Sequence, residues 1–214
     1  MTDSLPLAPA PTDQAESWLA ALERRRSVDP DFLGEPGPSA EQTARLLRVA
    51  ARVPDHGALE PWRFIVLSGV AREAASARMA AAYQQALATD MADFARENPE
   101  KAARQTAKMP RIFSRAPLVV VVVSRADPKA KHPEFEQLLS VGAACENLIV
   151  AATAMGFGAD WLTGWPATHP AALAILGVGT GEKVAGIIHI GTTQRGTPER
   201  RRPDMQAITT TWAG

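Results

Sequence analysis

The apolar residues near the start of the chain recur at the three- and four-residue spacing that is typical of an amphipathic helix. Residues 1–12 are rich in Pro and Ala and predict a flexible N-terminal arm before this helix. We expect the helix to begin at Asp13 and to end in the run Arg24-Arg25-Arg26-Ser27. Its apolar face would consist of Ala15, Trp18, Leu19 and Leu22.

Local signals set the limits of a second helix. Ser39 is followed three residues later by Gln42, which is the spacing of a capping box, so Ser39 is predicted to cap the first turn. Pro54 ends the helix, because the residue before a proline disfavours helical backbone angles. Residues 28–38 contain three prolines and two glycines and predict a loop between the two helices.

Four later segments have the composition of β-strands. Residues 62–67 are β-prone and alternate in polarity, whereas residues 117–123 form a continuous, mostly valine run that is typical of a strand buried on both faces. Two further strands are predicted over residues 157–163 and 183–191. A short β-prone segment, residues 208–212, ends the chain.

Long helical segments separate these strands. Residues 70–109 are rich in Ala and charged side chains and predict helix, broken near Asn98-Pro99. Another long helix is predicted to end at Gly156 and to be buried through Phe135, Leu138, Leu139, Gly142, Cys145, Ile149 and Ala152. This order of elements favours an α+β fold in which a central sheet is wrapped by helices.

Composition and charge exclude several classes of protein. The 214-residue chain has 23 Lys plus Arg and 23 Asp plus Glu, so it lacks the basic excess that nucleic-acid binding usually needs. The single cysteine, Cys145, can form no intramolecular disulfide. The first residues do not have the pattern of a signal peptide, and no apolar run approaches the roughly 20 residues of a membrane span. We therefore expect a cytoplasmic protein that binds neither nucleic acid nor membrane.

The arginine run at residues 24–27 has two interpretations. Cations at the C-terminal end of a helix interact favourably with the helix dipole, which would need no ligand. Successive helical residues point about 100° apart, however, so at least one of the three arginines should face the body of the protein. A buried guanidinium needs an anionic partner, and its planar fork suits a phosphate or the edge of an anionic ring.

Two other stretches have similar alternatives. Residues 54–62 read Pro-Asp-His-Gly-Ala-Leu-Glu-Pro-Trp and form either a ligand-binding loop held by rigid elements or a solvated surface turn. Residues 156–165 are rich in Gly and Trp. They either let a planar ligand approach the backbone or place tryptophans in the core.

Several familiar catalytic and metal-binding motifs are absent from the sequence. The histidines His56, His132, His169 and His189 have no metal-ligand spacing, so we expect no metal site. Cys145 and His189 lie in apolar segments and are interpreted as core residues. No acid, base or nucleophile stands out, which suits a protein whose chemistry is carried by a cofactor.

Together these motifs resemble the nitroreductase family, in particular its compact, single-domain NAD(P)H nitroreductase branch. The resemblance runs from about residue 14 to the C-terminus and implies that residues 13–214 form one FMN-binding domain with a mainly antiparallel sheet. It rests on Arg-Arg-Ser at 25–27, the Pro-Asp-His and Pro-Trp residues within 51–62, Gly-Phe-Gly-x-x-Trp-x-x-Gly at 156–164, Ile-Gly-Thr at 190–192 and the Arg-Pro tail at 200–203.

The resemblance implies a homodimer with two FMN sites at the subunit interface and a C-terminal segment that commonly crosses to the partner. On the side of one subunit, the implied contacts to phosphate, ribityl chain and ring edge are Arg25, Arg26 and Ser27. The residues that would line the ring are Trp161, Leu162, Thr163 and Gly164. Either Arg201 or Arg202 would neutralise the phosphate.

From the other subunit, His56 and Glu60 would reach the flavin. Two positions depart from the family pattern. Leu162 stands where some members have Arg, which removes one contact, and Glu60 stands where Gln is familiar. A carboxylate beside the flavin would disfavour negative charge on the ring, which puts the role of Glu60 in doubt.

The implied activity is hydride transfer from NAD(P)H through the flavin to a small oxidised acceptor, such as a nitroaromatic or a quinone, in a ping-pong cycle. Two alternatives remain open. The same fold could carry other flavin chemistry, as a dehydrogenase, a dehalogenase or a flavin-degrading enzyme. The protein could also bind flavin without catalysis.

Overall fold

A five-stranded sheet forms the centre of the structure, a computed structural model that describes residues 12–214. Its strand pairs are antiparallel, in the order β1-β5-β3-β2, and β4 also pairs with β5. The strands are β1 Leu33–Gly34, β2 Trp62–Ser68, β3 Leu118–Ser124, β4 Gly158–Leu162 and β5 Lys183–Thr193. The α+β fold with an antiparallel sheet wrapped by helices is therefore confirmed.

Helices cover the sheet along most of the described chain. The predicted break at Asn98-Pro99 separates α4 from α5, and a second break at residues 89–91 separates α3 from α4. The helices are α1 Thr12–Arg24, α2 Ala40–Ala50, α3 Val70–Ala88, α4 Ala92–Glu97, α5 Pro99–Lys108, α6 Glu134–Ala154, α7 Trp165–Thr168, α8 Pro170–Leu176 and α9 Met205–Ile208.

The predicted start of α2 agrees with the structure, whereas α2 ends at Ala50, before Pro54, and α1 ends at Arg24, before the rest of the arginine run. The Ser39 side chain accepts a hydrogen bond from Gln42 N at 3.1 Å, and the Gln42 side chain accepts one from Ser39 N at 2.9 Å. This is the predicted capping box, and it starts α2. The predicted arm lies outside the described residues except for Thr12, which already belongs to α1.

The structure differs from the sequence prediction in two segments. Residues 28–38 are not only a loop, because a 3-10 turn at Pro30–Phe32 leads into β1, which pairs with the end of β5. The β-prone end at residues 208–212 is not a strand, since α9 ends at Ile208 and the residues after it have no regular structure. A β-prone segment becomes a strand only where a neighbouring strand can pair with its backbone.

The valine run of β3 contributes to both sides of the core, as predicted. Val120 and Val122 pack with α2 and α6 on one face of the sheet, while Val119, Val121 and Val123 pack with α3, α7 and α8 on the other. All five side chains are fully buried. Because successive side chains of a strand point to opposite faces, a continuous apolar run is what a sheet covered on both sides requires.

Helix α6 is buried along only part of its length, which corrects the prediction of a helix buried throughout. Cys145 and Ile149 belong to the core, whereas Phe135 is 70% exposed and Leu139 is 58% exposed. We call residues 134–139, of which Gln137 alone is buried, the exposed half of α6 and residues 141–152 its buried half. The sequence could not separate them, since both halves have apolar residues at helical spacing.

Helix α6 is also long and apolar enough to pass a membrane-span test based on length and composition. The sequence prediction concerned an uninterrupted apolar run, and Glu146 and Asn147 interrupt the apolar residues of this helix. Half of the relevant window is nevertheless buried against the rest of the protein, and the core helix of a globular fold passes the same test. The finding is weak evidence for a membrane segment.

The predicted apolar face of α1 is not buried in the single chain. Trp18 and Leu19 are about half exposed, and Leu22 is also exposed. In the C-terminal tail, large apolar side chains of α9 and the last residues are exposed as well, including Trp212 at 87%. The protein thus has a complete core around the sheet and, apart from it, several uncovered apolar side chains.

Candidate functional site

The end of α1 and the segment after it form one side of a cavity of about 350 Å³, which we call the arginine pocket. Because α1 ends at Arg24, the residues Arg25, Arg26 and Ser27 lie beyond the helix. Val28 N donates a hydrogen bond to Ala159 O at 3.0 Å, which fixes this segment beside β4. The other side of the pocket is formed by Thr153, Phe157, Gly158, Thr193 and Thr197.

Gly158 is needed for close packing at this wall. A Cβ at Gly158 would collide with Thr193 Oγ1 and with the Leu33 side chain. The second glycine of the Gly-Phe-Gly motif therefore has a structural reason within the chain itself, since β4 lies close to β1 and the end of β5.

Carboxylates accompany both arginines of the pocket. Arg25 Nε lies 3.8 Å from Glu146 Oε1, and Arg26 Nη1 lies 3.6 Å from Glu199 Oε1. Arg26 also donates a hydrogen bond to Pro198 O. Both side chains are mostly covered, with about a fifth of each exposed. The structure thus brings two partly buried guanidinium groups to one cavity, as an anion site requires, while Ser27 beside them is exposed.

Of the two tail arginines, Arg202 is the one that returns to α1. Its Nη2 atom lies 3.0 Å from Glu199 Oε1 and 3.3 Å from Glu23 O. Arg201 is exposed. The backbone N–H of Arg200 and the charges of Arg202 and Arg26 lower the pKa of Glu199. Three charged side chains of this region therefore meet at the end of α1.

A second cavity, of about 320 Å³, contains the residues that follow β4, and we call it the polar pocket. Leu162, Thr163 and Gly164 line it, as does the 3-10 turn before β1. Asp29 lines the polar pocket and the preceding Val28 lines the arginine pocket, so the two cavities lie on either side of one short segment.

Arg115 is the buried cation of the polar pocket. Only 4% of its side chain is exposed, and it donates to Asp29 Oδ1 at 2.7 Å and to Asp31 Oδ1 at 3.0 Å. The backbone N–H of Asp31 and the Arg115 charge lower the pKa of Asp29. A guanidinium that is held by two carboxylates keeps its orientation, which is the condition for a preorganised charge in a site.

Asp160, on β4, lines the same pocket and behaves differently. Burial raises the pKa of its carboxyl group, and the negative charge of Asp29 raises it further. Asp160 therefore holds a proton at a higher pH than an ordinary carboxyl group does. The polar pocket contains one carboxyl group with a lowered pKa and one with a raised pKa, a combination that is common where protons are exchanged.

Trp165 closes the end of the polar pocket. Its ring stacks on His169, with 4.7 Å between ring centroids, and Tyr83 meets it edge-on at 5.0 Å. The His169 Nε2 atom is held by Asp90 Oδ2 at 2.8 Å. Trp165 Nε1 is buried and has no hydrogen-bond partner among the described residues. A buried donor without an acceptor is costly, so this atom is an unusual feature of the pocket wall.

Trp161 does not share the cavity of its neighbours, although the sequence groups it with them. Its indole Nε1 donates to Ala185 O at 3.1 Å, and its ring packs directly against Gly186. Side chains alternate along β4, so Trp161 points to the opposite face from Leu162 and joins the core beside α6. In this chain its side chain has a packing role, and the predicted contact of the Trp161 ring with the flavin finds no support.

His56 and Glu60 lie apart from both pockets. His56 lines a third cavity of about 260 Å³ with residues of α6. Glu60 is exposed and lines none of the three cavities, which lie within the described part of the chain. The structure thus places Arg25 and Arg26 in the arginine pocket, and Leu162 and Gly164 in the polar pocket. Within one chain, neither His56 nor Glu60 reaches either pocket.

Sequence reasoning missed Arg115, Asp29 and Asp160. One signal was available for Arg115, which stands immediately before the Ala-Pro-valine run of β3. A charged residue next to a fully buried strand needs a partner, and the two aspartates of the 28–38 segment provide it. No local signal pairs residues more than 80 positions apart, which is why the cluster appears only in the folded chain.

The sequence model of the Nitroreductase family matches residues 22–192. The Escherichia coli K12 protein named "Putative NAD(P)H nitroreductase YdjA" is 34% identical over 176 residues, 82% of this chain and 88% of its own. A Haemophilus influenzae protein with the same description is 34% identical over 161 residues, 75% of this chain and 80% of its own.

Solved structures show the same fold. A nitroreductase-like family protein from Bacillus cereus superimposes with a TM-score of 0.72 at 18% identity, over 99% of this chain and 100% of its own. The nitroreductase with bound FMN from Bacteroides fragilis gives a TM-score of 0.67 at 21% identity, over 92% of this chain and 98% of its own. With the family match and the 34% identical relatives, the chain belongs to the nitroreductase family, a family of oxidoreductases.

Proposed function

We propose that this protein is an FMN-dependent oxidoreductase that takes its reducing equivalents from NAD(P)H. The observation that carries the proposal is the pair of adjacent cavities on either side of residues 28–29, one rich in arginine and one lined by polar and charged side chains. Family membership, the NAD(P)H nitroreductase description of the relatives and the FMN bound by the Bacteroides fragilis structure support it.

The donor sets of the two cavities fit the two ends of FMN. Arg25 and Arg26 would bind the phosphate in the arginine pocket, with Ser27 next to them and Arg202 neutralising charge from the tail. In the structure these guanidinium groups have Glu146 and Glu199 as partners. A phosphate would compete with the exposed Glu199 for Arg26, so we expect the tail to reorganise when FMN binds.

The isoalloxazine ring would occupy the polar pocket along Leu162, Thr163 and Gly164. Trp165 Nε1, which has no partner among the described residues, would donate to a polar atom of the ligand. When bound, FMN supplies the redox chemistry, because it can accept a hydride from NAD(P)H and pass reducing equivalents to an acceptor. Arg115 lines the same pocket and would stabilise negative charge that develops there. Asp160, with its raised pKa, would hold a proton at this wall.

The proposal includes a homodimer. Trp18, Leu19 and Leu22 of α1 and the apolar side chains of the exposed half of α6 are uncovered in the single chain. Large exposed apolar surfaces commonly mark an interface, and a second copy of this chain is the partner that we propose. His56 and Glu60 would then face the flavin of the partner subunit, which accounts for their distance from both pockets within one chain.

For the acceptor we propose a small oxidised molecule such as a nitroaromatic or a quinone. NAD(P)+ would leave before the acceptor binds, so that initial rates give parallel double-reciprocal lines at different acceptor concentrations. The cytoplasmic location predicted from the sequence belongs to this proposal. Product analysis with a panel of acceptors would separate this activity from dehydrogenation, dehalogenation and flavin degradation.

The direct test is the visible absorption spectrum of the purified protein, followed by titration with NADH and NADPH. We expect a bound flavin that is bleached by at least one nicotinamide and reoxidised by the acceptor. Arg26→Ala should weaken FMN binding by about 10- to 100-fold, the range for loss of one charge-assisted hydrogen bond. Arg96→Ala, which changes an exposed arginine of α4, is the matched control and should leave FMN affinity unchanged.

A protein that takes up no FMN and oxidises neither nicotinamide would overturn the proposal. Tight FMN binding without turnover by NADH or NADPH would instead identify a flavin-binding protein without this activity. If the Arg26→Ala variant bound FMN as tightly as the unmodified protein does, the phosphate would not bind in the arginine pocket.

A further inference from the structure

Beyond this function, we infer that His56, His132 and Glu136 form a binding site for a divalent first-row transition metal ion such as Zn²⁺. One nitrogen of each histidine and one carboxylate oxygen of Glu136 lie within 4.8 Å of one another. The sequence alone predicts no metal site, because His56 lies 76 positions before His132 and only the fold brings the two histidines together.

Two distances within the cluster, both to Glu136, are longer than hydrogen bonds and close to the separation of two ligands on one metal ion. Glu136 Oε2 lies 3.5 Å from His132 Nδ1 and 3.7 Å from His56 Nδ1. A hydrogen bond between these atoms would measure about 2.7–3.2 Å. Two ligands on a tetrahedral Zn²⁺, with bonds of about 2.0–2.2 Å, lie about 3.4 Å apart. The carboxylate therefore faces both imidazoles at nearly the separation that a shared metal ion imposes.

The backbone positions of the two histidines are fixed. Gln137, which is almost fully buried, donates from Nε2 to His132 O at 2.9 Å and to Asp127 O at 2.9 Å. Asp55 holds the other loop, since its Oδ2 accepts from Glu60 N at 2.8 Å. A site whose ligands are already positioned loses little conformational entropy on binding.

The loop that carries His56 has an uncommon backbone. Ala58 and Glu60 both adopt positive φ angles, 51° and 46°, although neither is a glycine. Gly57 is also at positive φ, and a Cβ there would press into the His132 ring, at 2.7 Å from Cδ2. Such conformations cost free energy and are concentrated at binding sites. Here they turn His56 toward His132, with ring centroids 5.5 Å apart.

Two imidazoles and one carboxylate are typical ligands of Zn²⁺ and related ions, and three protein ligands leave a fourth position for water or another ligand. His56 and Glu136 also line the apolar cavity of about 260 Å³. The site is compatible with the proposed flavin contact, because His56 would bind the metal through Nδ1 and present its opposite nitrogen, Nε2, to the partner subunit. The metal site does not depend on that contact.

The test is a calorimetric titration of the flavin-loaded protein with Zn²⁺, in a buffer that does not bind metal. We expect one ion per chain. His132→Ala and Glu136→Gln should each weaken binding by about 100-fold, the upper end of the effect of losing a supporting partner of a metal ligand. His169→Ala is the matched control, because His169 pairs with the single carboxylate of Asp90 and should not contribute.

A spectroscopic measurement distinguishes these ligands from adventitious surface binding. Co²⁺ in place of Zn²⁺ should give d–d absorption at longer wavelengths than the flavin bands, and His132→Ala should abolish it. His132 and Glu136 are not proposed flavin contacts, so the flavin spectrum of both variants should be unchanged whether or not metal binds. Absence of Zn²⁺ uptake, or equal affinity in the unmodified protein and the His132→Ala variant, would overturn the inference while leaving the flavin proposal intact.

Discussion

The two halves of α6 have similar apolar residues but different surroundings. In the buried half, Leu148 and Cys145 are fully covered by α2 and the sheet, and burial raises the pKa of the Cys145 thiol to about 12. In the exposed half, Phe135 and Leu139 are uncovered beside the His56 loop. The predicted structural role of Cys145 agrees with its position. An apolar helix face therefore predicts burial, but it does not indicate whether the same chain or a partner molecule covers that face.

The largest expected effect tests the buried half. Leu148→Ala should lower the free energy of unfolding by about 2–5 kcal/mol, because it removes methylene groups and leaves a cavity in a packed core. Urea unfolding followed by circular dichroism measures the change. Leu139→Ala is the matched variant on the exposed half and should change the stability of the isolated subunit by at most about 0.5 kcal/mol. If both variants lost the same free energy of unfolding, the two halves of α6 would not differ in burial.

A second prediction concerns the only fully buried histidine in the described chain. His189, on β5, has its Nε2 atom 2.8 Å from Ile112 O, whereas its Nδ1 atom is buried without a partner. It is a core residue, as predicted, but only one of its two ring nitrogens has a hydrogen-bond partner. Burial lowers the pKa of His189 from 6.5 to about 4. The unfolded chain therefore binds a proton below pH 6.5 that the folded chain does not bind until about pH 4.

Because the folded pKa is the lower one, stability from this group is complete above pH 6.5 and decreases as the pH falls toward 4. Each pH unit in that window lowers the free energy of unfolding by about 1.4 kcal/mol, so the full loss of unfolding free energy is about 3 kcal/mol. Unfolding free energies measured between pH 7.5 and pH 4 should show this slope, and His189→Gln should flatten it. A variant with the same pH slope as the unmodified protein would contradict the assignment.

The smallest effect on the isolated subunit, and the sharpest test of the exposed half, is expected from Leu139→Glu. The charge should leave the folded subunit intact but weaken dimerisation by roughly 100-fold, as for a residue central to an interface. Analytical ultracentrifugation over a range of concentrations measures this. Val70→Glu, at an exposed apolar position on α3, is the control and should leave the dimer unchanged. A monomeric unmodified protein would show that another partner covers α6.

Local elements of the fold could be predicted because their causes are local. The capping box at Ser39, the valine run of β3 and the proline break before α5 depend on neighbouring residues, and all three agree with the structure. The errors arose where the outcome depends on a distant partner. Residues 33–34 form a strand because their backbone pairs with the end of β5. Residues 208–212 have no such partner in the described chain and form no strand.

The candidate site also contains local features that the sequence predicted and long-range contacts that it did not predict. The Arg25-Arg26 pair and the Leu162–Gly164 segment were identified from sequence, and each lies in a cavity. The sequence grouped Trp161 with this segment, whereas its side chain points to the other face of β4 and packs in the core. Arg115 and Asp29 became neighbours only through the fold.

By itself, the sequence determined most of the longer helices and strands, that a sheet is covered on both faces, and that arginines follow α1. Spacing and residue type are sufficient for these conclusions, because backbone geometry repeats with a fixed period. Only the tertiary structure decided that half of α6 stays exposed, that Arg115 is held by two aspartates, and that two histidines and a glutamate meet. These features join residues that are distant in sequence, and their distances are set by how the helices pack on the sheet.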